Sequence, residues 1–432
     1  MLMSKKRRGI NKDLNYNIQI MNKNPFFQVL GIKNFLKLWG SQLFSQITLC
    51  MINFVIILKI FEKTNSSVAV SLVWIFYAIP AIIAGPFSGT IIDLMEKRKA
   101  LIWTNLCQAI IVLGYLLVRE KIWPIYTIVF LYSLVNQLYI PAEASTLPGI
   151  VPKKLYPAAN SIFMFTMYGS FLAGFSLAGP FVKFLGSDTL FIFSSLLLGL
   201  AALFVFLLPS GMKGAKEEVT GINDFLNRVK EGYLFIKDKP LILFPLLIIV
   251  LSEIVVGIIA VLVPTFATEV LSIDLLDAGL IIITPAGLGA LVGAQGIVWG
   301  LRRFRKKKLI SLGLFLAFLG LLSFSLIVPN LGNLRAPAAM IVSFFLGISF
   351  VSLVIPTQTL IQESTPEEFR GRVFGVLGFM ITIAAVLPVL LIATFADLIG
   401  VTWILFIISL IIGAIAFYFL GEPYAKYTQS KN

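Results

Sequence analysis

The chain has 432 residues, of which 58% are hydrophobic and 13% are charged. Soluble domains carry about a quarter charged residues, and a soluble chain of this length cannot bury so much apolar surface. The composition therefore indicates a polytopic membrane protein. The 35 Lys and Arg exceed the 21 Asp and Glu and give a net charge of +14. In a membrane protein such an excess reports which loops stay in the cytoplasm, so we expect no nucleic-acid partner.

The residue types that are missing exclude several kinds of chemistry. The sequence contains no histidine, so a Ser-His-Asp triad or a histidine-based zinc site cannot form. Cys50 and Cys107 lie inside apolar segments, where they are expected to pack as small hydrophobic side chains. No phosphate-binding loop sequence occurs, so uphill work needs an ion gradient or another subunit. We predict no catalytic residues, no metal, no cofactor and no enzymatic activity.

Twelve apolar segments follow one another along the chain, each long enough to cross a bilayer, which takes about 20 residues as a helix. The predicted fold class is an all-α polytopic membrane protein with twelve transmembrane helices. The predicted spans are 38–60, 68–92, 100–118, 122–142, 157–182, 188–208, 240–267, 277–300, 309–328, 336–360, 373–396 and 401–420.

The basic residues predict the orientation. With the N-terminus in the cytoplasm, six of the 35 Lys and Arg lie at the outer ends of the spans: Lys59, Lys63, Arg119, Lys121, Lys183 and Arg335. Basic loops remain inside, so both termini are expected in the cytoplasm, and the chain in the plasma (inner) membrane. The polar N-terminal region is too long for a cleavable signal peptide. Its basic cluster Lys5–Arg8 is either a solvated tail or a contact to anionic lipid heads.

The longest cytoplasmic loop divides the spans into six and six. It opens with Pro209, Ser210 and Gly211, which stop a helix, and continues with apolar residues at helical spacing, which predict an amphipathic helix on the inner membrane face. The predicted units are a basic cytoplasmic tail at 1–36, six-helix bundles at 37–208 and 240–420, a linker at 209–239, and a cytoplasmic tail at 421–432.

The two bundles are similar in sequence. Pro141 and Pro356 occupy matching positions, and both are interpreted as closing an apolar span. Lys183-Phe-Leu-Gly matches Asp397-Leu-Ile-Gly at nearly the same offset. Two parallel six-helix repeats around a central cavity are typical of transporters, so we expect a small-molecule substrate.

Glu253 is the sharpest single candidate for function. It lies near the middle of the seventh span, where a carboxylate is costly unless it faces water, finds a partner or stays protonated. It is therefore a candidate proton carrier, and the alternative is a protonated side chain that joins helices. Protons are the expected coupling ion.

Neutral amides and glycine pairs within the spans suggest further roles. The amides either bind substrate in a cavity or hydrogen-bond helices together; the cavity candidates are Gln42, Gln46, Asn53, Asn136, Gln137 and Gln358. Two Gly-x-x-x-Gly pairs predict close helix packing within the bundle or a dimer seam; they are Gly85 with Gly89, and Gly296 with Gly300.

The loop after the second span resembles the inner-loop signature of the major facilitator superfamily. Gly89, Asp93, Lys97 and Arg98 match that pattern, whereas Glu96 stands where glycine is usual. In the superfamily this Asp lies near the N-terminus of helix eleven and locks one face of the bundle, a position that suits a carboxylate. The resemblance implies an inner gate formed by this motif. Among the basic residues of the matching second-half loop, Arg370 and Arg372 either belong to that gate or only set orientation.

Four further segments look most like the macrolide-efflux and enterobactin-exporter branch of the superfamily. They are Leu38–Gln46, Glu62–Ser67, Pro141–Pro152 and Thr365–Phe374. Members of that branch often carry Gly-Asp where this chain has Thr48-Leu49, which assigns proton coupling here to Glu253 or Glu143.

The Gly179-Pro180 pair in the fifth span resembles the remnant of a drug-antiporter motif and is also a helix-packing candidate.

The resemblance implies a secondary active transporter that works by alternating access, as a monomer. The expected activity is proton-coupled efflux of an amphipathic or hydrophobic small molecule, as in multidrug antiporters. Two alternatives remain: movement of a lipid or lysolipid, or a membrane sensor on a transporter scaffold that transports nothing.

Overall fold

The computed structural model describes residues 24–118, 121–211, 222–237 and 239–420, and these residues form helices and turns without a β-strand. Twelve of the helices are long and apolar enough to cross a membrane. Backbone groups cannot hydrogen-bond to lipid, so a spanning segment must satisfy them within its own helix. The predicted all-α architecture of twelve membrane helices is confirmed.

The first half contains one short helix and six spanning helices. They are α1 (Pro25–Leu30), α2 (Lys33–Thr64), α3 (Ser67–Asp93), α4 (Lys97–Leu113), α5 (Ile122–Thr146), α6 (Tyr156–Leu185) and α7 (Ser187–Phe206). The linker contains α8 (Ile222–Lys237), and the second half contains α9 (Pro240–Thr265), α10 (Thr284–Arg303), α11 (Lys306–Leu322), α12 (Arg335–Ser364), α13 (Glu367–Ile399) and α14 (Val401–Leu420). Successive spans alternate in direction, so α1, α8 and the end of α14 share one side. We call this the linker side and the opposite side the far side.

Helical structure begins earlier than the tail predicted at 1–36 would suggest. The short α1 and the first residues of α2 fall inside that segment. Val29 and Phe35 are fully buried in the linker-side core of the first half. Apolar packing of these two side chains therefore extends the first bundle beyond its membrane-spanning part.

The helices continue past Pro141 and Pro356, so the interpretation that these prolines end their spans is wrong. Pro141 lies inside α5 and Pro356 inside α12. Membrane helices tolerate proline where neighbouring groups satisfy the freed carbonyls.

The buried apolar residues show where the two halves meet. One cluster includes residues of both halves, such as Ile56 and Phe175 with Val263 and Ile282, and its first-half members lie in the central and far-side parts of their helices. A second cluster belongs to the first half and a third to the second half with α8, both on the linker side. The halves are therefore packed together on the far side and have separate cores on the linker side.

Two glycines allow the closest backbone approach between the halves. A Cβ at Gly179 of α6 would overlap the carbonyl oxygen of Leu276, just before α10, and a Cβ at Gly279 would overlap the carbonyl oxygen of Phe175. The position of Gly179 therefore fixes how tightly α6 and the start of α10 close the far side.

We expect Gly179→Val to destabilise the folded protein. The added side chain must displace the Leu276 backbone, and overpacking of this kind costs about 1–3 kcal/mol. The midpoint of thermal unfolding of the purified protein in detergent should fall by several degrees. The matched control is Gly199→Val in α7, where a Cβ meets no atom within 4 Å. Equal midpoints for the two variants would contradict the close contact at Gly179.

Candidate functional site

The second half contributes a carboxylate, Glu253, at the middle of α9. Its side chain is half-buried, and none of the described residues donates a hydrogen bond or ion pair to it. It lies close enough to Tyr168 of α6 for the two groups to interact electrostatically. Because α6 belongs to the first half and α9 to the second, this pair faces across the boundary between the halves.

A gap opens between α6 and α10 on the linker side of their contact. On the far side the Thr284 hydroxyl donates a 2.6 Å hydrogen bond to that of Ser176, and Leu172 packs at Gly287. One and two turns further toward the linker side, the residues that continue the same two faces are exposed. They are Tyr168 (48% exposed), Phe165 (67%), Leu291 (42%) and Gln295. We call the space bordered by these four side chains the central gap.

The other membrane carboxylate, Glu143, belongs to a polar network inside the first half. The Tyr139 hydroxyl donates a 2.9 Å hydrogen bond to Glu143 and lies within reach of the Ser41 and Ser45 hydroxyls. Ser45 in turn donates a 2.7 Å hydrogen bond to Asn105. These contacts join α2, α4 and α5 on the linker side of the bundle, away from the far-side closure.

The six amide candidates fall into two groups. Three make hydrogen bonds that join or stiffen helices: Gln42 to the Phe163 carbonyl at 3.4 Å, Asn136 to Tyr77 at 3.0 Å and to Gln108 at 3.3 Å, and Gln137 to the Ser133 carbonyl at 3.4 Å. The other three, Gln46, Asn53 and Gln358, are half-buried. The structure shows no hydrogen bond between them and any other described residue, so these three keep free amides.

Two contacts of charged side chains hold the halves together on the far side. In the first, Lys183 at the end of α6 lies 3.2 Å from Asp277 and 4.0 Å from Asp274. In the second, Asp397 at the end of α13 accepts hydrogen bonds from the Ser66 hydroxyl at 2.7 Å and from the backbone of Ser67 at 2.9 Å. We call them the Lys183 latch and the Asp397 latch.

The Asp397 latch is a charge held at a helix N-terminus. Asp397 also accepts the Val68 N–H at 3.2 Å, so its carboxylate satisfies free donors of the first turn of α3. A negative charge is favoured there by the helix dipole. The hydrogen bonds that Asp397 accepts from the first turn of α3 thus join the two halves on the far side.

Lys183 and Asp397 occupy equivalent positions in the two sequence repeats. Each lies three residues before a helix-ending glycine with positive φ, Gly186 (80°) and Gly400 (90°). The sequence comparison of the halves aligned these residues, but it did not identify them as contacts between the halves. Their opposite charges at matched positions were the available signal.

The inner-loop motif contacts its own half. The Lys97 ammonium donates a 2.8 Å hydrogen bond to the Ser145 carbonyl at the end of α5. Arg98 donates a 2.5 Å hydrogen bond to the Phe206 carbonyl and lies over the Phe206 ring. The side chains of Asp93 and Arg370 lie outside the described part of the structure.

The loop between α3 and α4 is also tied to the start of the linker. Glu96 accepts the Gly211 N–H at 3.1 Å and pairs with Lys99 at 3.1 Å. The hydrogen bond from Gly211, and to a smaller extent Lys99, hold the pKa of Glu96 below its usual value. The first half thus fixes its linker-side loop through charged groups.

In the second half, Arg372 of α13 binds the linker helix. Its guanidinium lies 3.1 Å from Glu231 of α8 and over the Phe369 ring. The Phe369 ring stacks on Phe235 at 4.2 Å, and Ile236 is buried against the same core. These contacts attach α8 to the second half.

The glycine pairs have different surroundings. A Cβ at Gly89 or Gly296 would meet no atom within 4 Å, whereas one at Gly85 would lie 3.7 Å from Gln137 and one at Gly300 would lie 3.2 Å from Leu309. Both open glycines lie on the linker side, where the halves have separate cores. Gly179 packs closely on the far side, and its neighbour Pro180 lies inside α6.

Tyr168 is the functional candidate that the sequence did not reveal. It is one of 12 Tyr and 37 Phe residues, and its nearness to Glu253 requires packing between the halves. The cysteines Cys50 and Cys107 are free. In the described ranges no three His, Cys, Asp or Glu residues are grouped so as to hold a metal ion.

The arrangement defines a class of protein: two six-helix halves around a gap that is closed at one end by contacts between the halves. The sequence profile of the Major Facilitator Superfamily matches residues 38–388. The chain belongs to this superfamily of membrane transporters.

Relatives and solved structures agree with this assignment. The chain is 26% identical over 365 residues to the MFS-type transporter YfiS of Bacillus subtilis, which covers 81% of this chain and 83% of that protein. It is 23% identical over 388 residues to macrolide efflux protein A of Streptococcus pyogenes, covering 88% and 93%.

Two crystal structures share the fold. The nucleoside transporter NupG has a TM-score of 0.69 at 12% identity and covers 91% of this chain and 100% of its own. A bacterial homolog of the human lysosomal transporter Spinster, inward-facing and unoccupied, has a TM-score of 0.70 at 13% identity and covers 95% and 100%.

We expect Asp397→Asn to loosen the far-side closure. Losing a charge that caps a helix N-terminus costs about 1 kcal/mol, which shifts a two-state equilibrium about fivefold. Spin labels at the exposed far-side positions Thr189 and Asn333 should report this opening. The distance between the two labels should be longer in a larger fraction of the variant molecules than of the wild type. Lys183→Gln should act in the same direction.

The control for both variants is Glu269→Gln, which removes an exposed far-side carboxylate without touching either latch. An unchanged distance distribution in Asp397→Asn, and in the variant that combines it with Lys183→Gln, would show that the two latches do not hold the halves together.

Proposed function

We propose that this protein exports an amphipathic or hydrophobic small molecule in exchange for protons, by alternating access. The observation that carries the proposal is Glu253, a carboxylate at the middle of α9 that pairs with none of the described residues. In this proposal the linker side is cytoplasmic, the far side is external, and the protein works as a monomer in the inner (plasma) membrane.

The distribution of basic residues supports this orientation. Basic residues cluster in the linker-side loops, as in Lys97–Lys99, Lys153–Lys154 and Arg302–Lys308, and such loops remain in the cytoplasm. Both termini then lie in the cytoplasm, and the gap receives cargo from the cell interior.

In this proposal Glu253 exchanges the coupling proton. An uncompensated charge near the bilayer centre costs about 3 kcal/mol or more, so the halves close around Glu253 most readily when its charge is neutralised. A proton taken up from outside neutralises the carboxylate for the return step, and its release to the cytoplasm restores the charged form. Glu143, held by Tyr139, is the second candidate for this role.

The latches and the inner-loop motif supply the two gates. On the external side, the Lys183 and Asp397 latches break as the halves rock apart. On the cytoplasmic side, Asp93 with Lys97 and Arg98 closes the motif against the start of α13, with Arg370 or Arg372 nearby. The open surroundings of Gly89 and Gly296 leave space for that closure.

The relatives support export of a bulky compound. Macrolide efflux protein A is named for moving macrolides out of the cell, and its similarity spans most of both chains. The exposed Phe165, Tyr168 and Leu291 give the gap an apolar border, which suits an amphipathic cargo.

The test is transport in proteoliposomes with an acidic lumen, using amphiphilic dyes that carry no titratable amine. The wild type should accumulate dye in a gradient-dependent manner. Gradient-driven dye accumulation should be at least about tenfold lower in Glu253→Gln, because this variant lacks the proton site. In Glu269→Gln it should equal that of the wild type.

Two further outcomes decide between candidates. Full gradient-driven accumulation by Glu253→Gln, together with its loss in Glu143→Gln, would assign coupling to Glu143. Dye movement by the wild type that does not depend on the proton gradient would refute antiport. Movement of labelled lipid, with no dye movement, would favour a lipid transporter.

A further inference from the structure

The loop between α10 and α11 concentrates positive charge on the linker side. Six of the seven residues from Arg302 to Lys308 are basic. From Ala278 to Gln362 the chain contains no acidic residue, so the neighbouring sequence supplies no balancing charge. The positive-inside bias accounts for a basic loop, but it does not account for how the side chains of this loop are arranged.

Two exposed aromatic rings hold cations of this loop. The Arg303 guanidinium lies over the Trp299 ring at 4.5 Å, and the Lys308 ammonium lies over the Phe304 ring at 4.9 Å. The two rings contact each other edge to face, with 6.3 Å between their centroids. The rings of Trp299 and Phe304 are 54% and 41% exposed. With the exposed Arg305, these four side chains form one surface, which we call the basic-aromatic surface.

The cations of the basic-aromatic surface have no acidic partner in the part of the chain that the structure describes. Arg303 and Lys308 contact rings, and neither they nor Arg305 donate a hydrogen bond to a described residue. Their N–H donors are therefore available to an anion. The next basic residue, Lys306, differs because it pairs with Glu363 of α12.

The equivalent loop of the first half, between α3 and α4, uses its basic residues internally. Lys97 and Arg98 donate to backbone carbonyls at the ends of α5 and α7, and Lys99 pairs with Glu96. Both loops lie on the linker side, so the rule that sets orientation applies to both equally. The outward-facing cations of the second-half loop need a separate explanation.

The exposed face of α10 next to this surface is apolar. Val292 (56% exposed) and Leu288 (48%) lie two and three turns from Trp299 along one face of the helix. The helix packs against α12 through another face, at Gly289 and Gly293. Exposed apolar side chains of a spanning helix suit acyl chains, and tryptophan is enriched at the level of the headgroups. The cations thus lie where a phospholipid on this face places its phosphate.

We propose that the basic-aromatic surface binds an anionic phospholipid of the linker-side leaflet. Its phosphate lies among Arg303, Arg305 and Lys308, which supply charge-assisted hydrogen bonds, and its acyl chains cover the apolar face of α10. Basic clusters directly beside a spanning helix are typical of anionic-lipid sites. The lipid is a bound partner and not cargo, so the inference does not rest on the proposed function.

The binding experiment compares two phospholipids with the same acyl chains and different headgroup charge. The full chain, freed of lipid in detergent, is titrated with phosphatidylglycerol or phosphatidylcholine, and native mass spectrometry counts the bound lipids. We expect the first phosphatidylglycerol to bind at least about tenfold more tightly than the first phosphatidylcholine, because three cations face its net negative charge.

A triple variant tests the cations. Arg303→Gln, Arg305→Gln and Lys308→Gln together should abolish the preference for phosphatidylglycerol. The matched control replaces three other exposed basic residues of the linker side by Gln: Lys33, Lys153 and Lys154. This control should keep most of the preference. A gel-filtration profile of each variant identifies any that fail to fold.

A second measurement locates the lipid without removing a charge. Phosphatidylglycerol with brominated acyl chains quenches the fluorescence of tryptophans that it contacts. In Trp299→Phe, which keeps an aromatic ring, most of the quenching by the first bound lipid should be lost. The control is Trp103→Phe, which replaces another exposed tryptophan in the linker-side part of α4 and should leave the quenching unchanged.

The outcomes decide the inference independently of transport. Equal binding of the two lipids by the wild type would overturn it, and so would a preference that the folded triple variant keeps or that the control triple loses to the same extent. Equal quenching in the two tryptophan variants would place the lipid elsewhere and overturn the site. A preference lost only in the Arg303, Arg305 and Lys308 variant would support the site even if dye transport showed no antiport.

Discussion

Contact between the two halves at one end of the molecule is the constraint on which the rest of the structure depends. The halves meet where Gly179 and Gly279 let backbones touch and where Asp397 caps α3. Close packing makes each half a stiff unit. On the linker side the two halves have separate apolar cores, and the central gap lies on that side.

The position of Glu253 is costly to the fold and therefore informative. In lipid, helices associate through close packing and hydrogen bonds instead of the hydrophobic effect, and a carboxylate that serves as helix glue needs a donor. Glu143 has one in Tyr139; Glu253 has none among the described residues. The same residue type thus occupies two environments, one satisfied within a bundle and one facing the boundary between bundles.

The amino-acid sequence predicts the features that depend on neighbouring residues. The length of each apolar run was sufficient to find all twelve spans, and the cost of a buried carboxylate singled out Glu253. Contacts between distant segments were not accessible: Asp397 reaches Ser66 across more than three hundred residues, and Tyr168 approaches Glu253 only after the halves pack. Pro141 does not end α5 as its sequence context suggests, because membrane helices tolerate an internal proline better than helices in water do.

A single carboxylate at the boundary gives exchange a simple physical basis. In the proposed mechanism a proton neutralises the Glu253 carboxylate and so removes the cost of closing the low-dielectric halves around a charge. The empty, charged form retains that cost. The return movement of the empty protein is then favoured with a proton and disfavoured without one, which couples proton entry to the transport cycle.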